Sequence, residues 1–125
     1  MEQSKTILYI DDDKDGCELV TVMFKLAGYA VTPCTSAEEG LLHARGGGFG
    51  AIVLDNWFEN ISGVEICREI RRFNTATPII FFSGESRPQE KQKGIDAGAN
   101  AYLVKPNDVG ELTERVINII QKHQE

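Results

Sequence analysis

Short apolar runs alternate with amphipathic stretches along almost the whole chain. The runs fall near residues 6–10, 30–34, 51–55, 78–82 and 101–104, and each has the length of a buried strand. The stretches between them carry apolar residues at helical spacing. Five strands that alternate with helices predict an α/β domain, in which helices cover both faces of a parallel sheet.

Local signals predict where helices begin, end and bury their apolar faces. Gly28 suits the left-handed cap that ends a first helix, and Ser36 followed by Glu39 is a capping box that should start a second helix near Ala37. In the first helix we expect a buried stripe of Leu19, Val20, Met23, Phe24 and Ala27. In the third we expect Gly63, Ile66, Cys67, Ile70 and Phe73 to face inward and Arg68, Arg71 and Arg72 to face water.

Composition limits the classes of protein that fit this pattern. The chain has 125 residues, 42% hydrophobic and 26% charged, which predicts one domain over residues 1–125 with a single core. A net charge of -6 argues against direct binding of nucleic acid, which requires Lys and Arg. Without a signal peptide or a run that could span a bilayer, we expect a cytoplasmic protein that does not enter membranes. The three cysteines are widely spaced and predict neither disulfides nor a zinc site.

Charged side chains follow three of the predicted strands. Asp11 and Asp12 follow the first strand, Asp55 closes the third, and Lys105 lies just beyond the fifth. Ser83 ends the fourth. Ligands of open α/β sheets bind outside the carboxyl ends of the strands, so we expect these side chains to meet in one crevice.

We expect a bound cation to stabilise such a cluster of carboxylates. Two unit charges about 4 Å apart repel by roughly 4 kcal/mol at an effective dielectric constant near 20, and Lys105 can offset only part of that repulsion. Mg²⁺ prefers carboxylate oxygens and keeps room for a phosphoryl oxygen. With Mg²⁺ bound, a carboxylate can attack phosphorus while Lys105 and the metal neutralise the transferring group. The residues therefore predict a magnesium site and an aspartyl phosphate.

Several motifs together resemble the receiver domain of two-component response regulators, of the chemotaxis-regulator type. The resemblance spans residues 5–122 and implies a flavodoxin-like, doubly wound parallel sheet of strand order 2-1-3-4-5 with five helices. The motifs are Ile7 to Asp12, Asp55 with Gly63 eight residues later, Ser83 followed by Gly84, and Tyr102 to Pro106.

The resemblance implies a role for each matching residue. Asp55 matches the phosphoacceptor, Asp11 and Asp12 the metal-binding acids, and Lys105 the lysine that contacts the phosphoryl group. Ser83 matches the switch hydroxyl and Tyr102 the switch aromatic. Trp57 would give its backbone carbonyl to Mg²⁺, and the bond between Lys105 and Pro106 would be cis. The implied partners are a histidine kinase or histidine phosphotransfer domain and a downstream target or effector domain, reached through the face of the fourth helix, fifth strand and fifth helix.

The chain also departs from the family pattern. Glu59 stands where a proline is usual, which predicts a differently shaped loop and an extra negative charge near the site. Asn107 replaces a frequent phenylalanine, which weakens assignment to the common DNA-binding subfamilies. Trp57 and Glu85 occupy positions that tune the lifetime of the phosphorylated form, and the bulk of Trp57 predicts slow dephosphorylation.

The same residues are compatible with other functions. A magnesium phosphohydrolase would use an aspartyl intermediate, but Trp57 stands where such enzymes carry a second acid. A receiver that binds partners without phosphorylation is the other alternative. A flavin or nucleotide carrier is disfavoured, because Asp11 and Asp12 replace the glycines and hydroxyls that cradle phosphate. Asp13 is expected only to cap the first helix.

Overall fold

A parallel five-stranded sheet forms the centre of the molecule. The computed structural model describes residues 4–123. Every strand is four or five residues long, and the inner strands are made almost entirely of buried aliphatic and aromatic residues, as expected for a sheet covered on both faces. The strands are β1 (Thr6–Ile10), β2 (Ala30–Cys34), β3 (Ala51–Leu54), β4 (Ile79–Ser83) and β5 (Ala101–Val104).

The strand order is β2-β1-β3-β4-β5, with all neighbours parallel. This confirms the predicted doubly wound architecture. The chain order reverses between β1 and β3, so the crevice for a ligand opens at the carboxyl ends of these two strands. Ile10 pairs with Leu54 at that edge, which fixes the register of the residues that follow.

Helices cover both faces of the sheet, and side-chain caps begin three of them. The carboxylate of Asp13 accepts from the backbone N–H of Asp15, which confirms its predicted capping role, and Ser36 and Ser62 cap the next two helices. Gly28 has φ 88°, the left-handed conformation expected at the end of the first helix. The helices are α1 (Lys14–Leu26), α2 (Ala37–Gly46), α3 (Gly63–Phe73), α4 (Pro88–Asp96) and α5 (Leu112–His123), the last preceded by a short 3-10 helix (Val109–Glu111).

The sheet separates two apolar clusters. One includes residues of α1 and α5 and the other residues of α2 and α3. Alternate residues of β1 pack into the two clusters, because successive side chains of a strand point to opposite faces. Ile7 and Tyr9 belong to the first cluster, and Leu8 and Ile10 to the second.

Four assignments of helix faces were wrong. Leu19 and Ala27 are exposed, and Cys17 contributes to the buried face of α1 instead. Phe73, at the end of α3, is 41% exposed. Arg71 is half-buried and bonds to neighbouring loops, so it does not simply face water. Helical spacing shows which residues share one face of a helix, but it does not show how much of that face the neighbouring elements cover.

Candidate functional site

Two carboxylates lie side by side at the carboxyl edge of the sheet. Because Ile10 pairs with Leu54, the next residues, Asp11 and Asp55, become neighbours, and the backbone N–H of Asp55 donates to the carbonyl of Ile10 at 3.0 Å. Asp12 completes the group. One carboxylate oxygen from each of the three acids lies within 4.8 Å of the others. The structure therefore brings together all three acids predicted to bind a metal through their side chains.

Lys105 reaches these acids from the end of β5. Its Nζ lies 2.6 Å from Oδ2 of Asp11 and 3.8 Å from Oδ2 of Asp55. Its backbone N–H donates to the carbonyl of Ser83 at 2.9 Å, which continues the pairing of β4 with β5 past the last residue of β5. The peptide bond between Lys105 and Pro106 is cis, as the resemblance implied. One ammonium group thus faces two buried carboxylates.

Asp55 is held in an environment that opposes its charge. It is 6% exposed, and burial raises the pKa of its carboxyl group above the usual value. Lys105, the Ser83 hydroxyl and the backbone N–H of Asn56 counteract that rise in pKa, whereas Asp11 adds to it. The N–H of Asn56 donates to Oδ1 of Asp55 at 2.7 Å. The ionised form that a nucleophile needs would be favoured by further positive charge at this site.

The donor set fits a hard divalent cation. Carboxylate oxygens are preferred by Mg²⁺, and Asp12 is exposed while Asp11 and Asp55 are buried, so the group faces solvent on one side. A site of this kind leaves positions for water or a phosphoryl oxygen. Trp57, to which the resemblance assigns a carbonyl ligand, follows Asp55 by two residues and exposes 57% of its surface.

Ser83 and Tyr102 lie on adjacent strands beside the acids. Ser83 is fully buried and its Oγ accepts from the backbone N–H of Glu85 at 3.2 Å. Tyr102 stacks on Phe81 with ring centroids 5.1 Å apart, and its hydroxyl donates to the carbonyl of Glu85 at 2.8 Å. Both residues assigned to the switch therefore bond to the backbone of the same loop after β4.

Two acids modify the rim of the site. Glu59, the departure from the family pattern, is exposed and lines a cavity of about 380 Å³ with Asp12 and Glu38. Its carboxylate adds negative charge to that side of the crevice. Glu85 forms an ion pair with Arg87, whose guanidinium is the main cause of the lowered pKa of the Glu85 carboxyl group. Arg87 thus neutralises one of the two rim acids.

Gly63 and Asn56 shape the loop behind Asp55. A Cβ at position 63 would lie 2.2 Å from the carbonyl oxygen of Asp55, so the close approach of α3 to the site requires glycine. The side chain of Asn56 accepts from the backbone N–H of Val64 at 3.1 Å, which ties the loop to the start of α3. Sequence reasoning identified Gly63 by its spacing from Asp55 but missed Asn56.

Tyr9 is the other missed residue. Its hydroxyl donates to Oδ2 of Asp11 at 2.8 Å, from a fully buried position in β1. A sequence signal existed. A buried hydroxyl must find a partner, and Tyr9 stands two residues before Asp11, so both side chains point to the same face of the strand.

Comparisons with known proteins agree with this geometry. The model of the response regulator receiver domain family matches residues 7–117. Response regulator ArlR of Staphylococcus epidermidis is 33% identical over 116 residues, which are 93% of this chain and 52% of ArlR. The chain belongs to the response regulator receiver domain family, whose members are regulatory domains of two-component systems.

Solved structures share the fold. A CheY-like receiver domain protein of Methanospirillum hungatei superposes with a TM-score of 0.89 at 23% identity and covers 95% of both chains. Response regulator TrrA of Thermotoga maritima, solved in complex with Mg(2+)-BeF, has a TM-score of 0.82 at 28% identity, over 90% of this chain and 96% of that one. Both comparisons confirm the flavodoxin-like architecture.

The comparisons also set the extent of the match. The chain spans about half the length of the curated relatives it matches. Within residues 4–123, none of the helices combines the length and hydrophobicity that crossing a bilayer would need.

Proposed function

We propose that this chain is a phosphoacceptor, in which Asp55 receives a phosphoryl group in a Mg²⁺-dependent reaction. The observation that carries the proposal is the meeting of Asp11, Asp12 and Asp55 within 4.8 Å, with Nζ of Lys105 3.8 Å from Oδ2 of Asp55. These distances support the proposal, because the Asp55 carboxylate lies next to one positive charge and to oxygen ligands that suit a cation.

The phosphoryl donor is a histidine kinase or a histidine phosphotransfer domain. A carboxylate oxygen of Asp55 attacks phosphorus, the new P–O bond forms, and the P–N bond to the donor histidine breaks with its electron pair passing to the ring nitrogen. Bound Mg²⁺, held by Asp11, Asp12, Asp55 and the carbonyl of Trp57, would supply charge that offsets the carboxylates and the phosphoryl oxygens. Lys105 contributes a second positive charge from the carboxyl end of β5, at the same edge of the sheet.

Ser83 and Tyr102 transmit the reaction to a surface. The Ser83 hydroxyl follows the phosphoryl group, and Tyr102 turns inward as that hydroxyl moves. Their bonds to the N–H and the carbonyl of Glu85 support this coupling, because one loop connects the site to α4. The affected face, made of α4, β5 and α5, then binds a downstream target or an effector domain.

Neither alternative has comparable support. For a phosphohydrolase, the position two residues after Asp55 should carry an acid, and Trp57 offers none. A receiver that works without phosphorylation has no need of three clustered carboxylates with a lysine. The likeness to TrrA, whose structure contains Mg(2+)-BeF, favours the phosphoacceptor.

Intact-mass spectrometry after incubation with Mg²⁺ and acetyl phosphate tests the proposal. We expect one phosphoryl adduct on the wild-type chain and none on Asp55→Asn. Asp13→Asn is the matched control, since Asp13 caps α1 and should leave the adduct unchanged. Unmodified wild-type protein, or an adduct that survives in Asp55→Asn, would overturn the assignment.

A further inference from the structure

Tyr9 places a hydroxyl group beneath the acidic cluster. Its ring belongs to the apolar cluster that includes residues of α1 and α5, and none of its surface is exposed. Because Tyr9 and Asp11 share one face of β1 and its extension, the phenol reaches the carboxylate two residues ahead. The hydroxyl is therefore anchored by a packed ring and directed at one acid.

Asp11 accepts from three donors of different kinds. Its Oδ2 accepts from the Tyr9 hydroxyl at 2.8 Å and from Nζ of Lys105 at 2.6 Å, and its Oδ1 accepts from the backbone N–H of Asp13 at 2.9 Å. The ammonium group of Lys105 lies at the end of a flexible side chain, and the proposed function requires it to contact the phosphoryl group as well. Tyr9 is the side-chain donor that stays fixed while Lys105 serves two acceptors.

We propose that Tyr9 is a positioning residue that orients the Asp11 carboxylate for binding a divalent cation. The inference rests on the proposed metal site. Hydrogen bonds from outside the ligand set fix the orientation of metal ligands, and removing one commonly costs 10-fold to 100-fold in affinity. Tyr9 is the residue that supplies such a bond to Asp11 from a rigid, buried position.

One opposing effect bears on the sign of the change in affinity. A hydroxyl that donates to Oδ2 withdraws negative charge from the carboxylate, which by itself weakens its attraction for a cation. Asp11 has no exposed surface and its rotation is set by its three donors, so we expect the loss of orientation to exceed the gain in charge.

Titration of Mg²⁺ into the unphosphorylated chain tests the inference. Trp57 is the sole tryptophan and lies two residues from Asp55, so its fluorescence reports binding. Tyr9→Phe keeps the ring and removes the hydroxyl, and we expect the dissociation constant for Mg²⁺ to rise about tenfold. Tyr29→Phe is the matched control, because Tyr29 is buried next to β2 and, within residues 4–123, is not among the donors to the acids; its dissociation constant should stay at the wild-type value.

A second readout separates positioning from a general loss of structure. In Asp11→Asn the acceptor charge is gone, so adding Tyr9→Phe should change the affinity for Mg²⁺ much less than it does in the wild-type background. In the wild-type chain, the NMR signal of the Tyr9 hydroxyl proton should shift when Mg²⁺ binds, and this measurement needs no variant. An unchanged or tighter dissociation constant in folded Tyr9→Phe would overturn the inference, as would an unshifted hydroxyl signal if that variant fails to fold.

Phosphorylation kinetics distinguish this inference from the proposed function. With acetyl phosphate, Tyr9→Phe should need about tenfold more Mg²⁺ for half-maximal rate and should keep the wild-type rate at saturation. If the wild-type chain binds Mg²⁺ but Asp55 takes no phosphoryl group, the phosphoacceptor proposal fails and the role of Tyr9 still stands on the binding data.

Discussion

The two ends of the sheet both contain charged groups, but they use them in opposite ways. At the carboxyl end, Asp11 and Asp55 are buried beside each other, and Lys105 contacts both. At the amino ends of β4 and β5, the half-buried Arg71 has no carboxylate partner among residues 4–123 and donates to oxygens of surrounding loops. One end concentrates like charges, and the other distributes a single charge over neutral acceptors.

At the amino end, oxygens of the protein itself accept the hydrogen bonds that Arg71 donates. Arg71 donates to the backbone carbonyls of Gly98, Asn74 and Thr77 at 2.8 to 3.0 Å, and to Oδ1 of Asn100 at 3.1 Å. The same oxygen of Asn100 accepts from the backbone N–H of Ile79, the first residue of β4. These bonds mostly satisfy the main chain, which is the pattern of a structural network.

At the carboxyl end, the neighbouring groups do not balance the charges of the acids in this way. Burial raises the pKa of the Asp55 carboxyl group, and the neighbouring buried carboxylate of Asp11 adds to that rise. Such a cluster opposes folding, so we expect it to serve a function. A bound cation would reduce the repulsion between the carboxylates directly. The candidate site thus differs from the structural network in that the protein leaves its charged groups electrostatically unbalanced.

Replacing Lys105 should produce the largest effect at the carboxyl end. Lys105→Met removes the ammonium group that faces both acids, and we expect the rate of phosphorylation by acetyl phosphate to fall by roughly 100-fold. The control is Lys93→Met, since Lys93 pairs with Glu90 on the surface of α4. Initial rates measured at saturating Mg²⁺ test this prediction. A Lys105→Met rate within about threefold of the wild-type rate would show that Lys105 takes no part in the reaction.

Breaking the network at the amino end should affect stability without affecting the site. Arg71→Met leaves three backbone carbonyls without their donor, and we expect the free energy of unfolding to drop by about 2 kcal/mol. Arg72→Met is the matched control, because Arg72 is exposed and its ion pair is with Glu69 on the same helix; its cost should stay within about 0.5 kcal/mol. Urea unfolding gives both values, and the dissociation constant for Mg²⁺ should not change in either variant.

Removing a charge at the carboxyl end should stabilise the fold slightly. The pKa of Asp55 is raised in the folded chain, so ionisation opposes folding and stability is lost as pH rises through that pKa. Asp55→Asn should therefore increase the free energy of unfolding by about 1 kcal/mol at neutral pH without Mg²⁺. Below about pH 4, where the unfolded carboxyl is also protonated, the gain should vanish. Thermal unfolding across this pH range checks the sign, and a destabilised variant at neutral pH would show that Asp55 is not strained.

Most of the architecture followed from the sequence because it depends on few signals. Buried parallel strands read as continuous apolar runs, and residues that follow such runs must gather at one edge of the sheet. That reasoning alone was enough to bring Asp11, Asp55 and Lys105 into one crevice, as the distances among them confirm. The order of the strands and the roles of Ser83 and Tyr102 came from the resemblance to a family.

Other features depend on contacts that periodicity does not encode. Arg71 has the spacing of a solvent-facing residue, and only the arrival of two loops at the end of α3 turns it into a donor. The role of Tyr9 depends on the reach of a phenol along β1. Leu19 was misplaced because α1 buries a narrower face than its apolar residues suggest, and Ala27 because it lies just beyond Leu26, the last residue of α1.

Binding of beryllofluoride, a phosphoryl mimic, tests the central claim most directly, because it requires the cation site and Asp55 at once. Fluorine NMR of the wild-type chain should show one bound species when Mg²⁺ is present and none when Mg²⁺ is removed, and Asp55→Asn should show none under either condition. A bound species that persists without Mg²⁺ or in Asp55→Asn, or no bound species on the wild-type chain, would contradict the account.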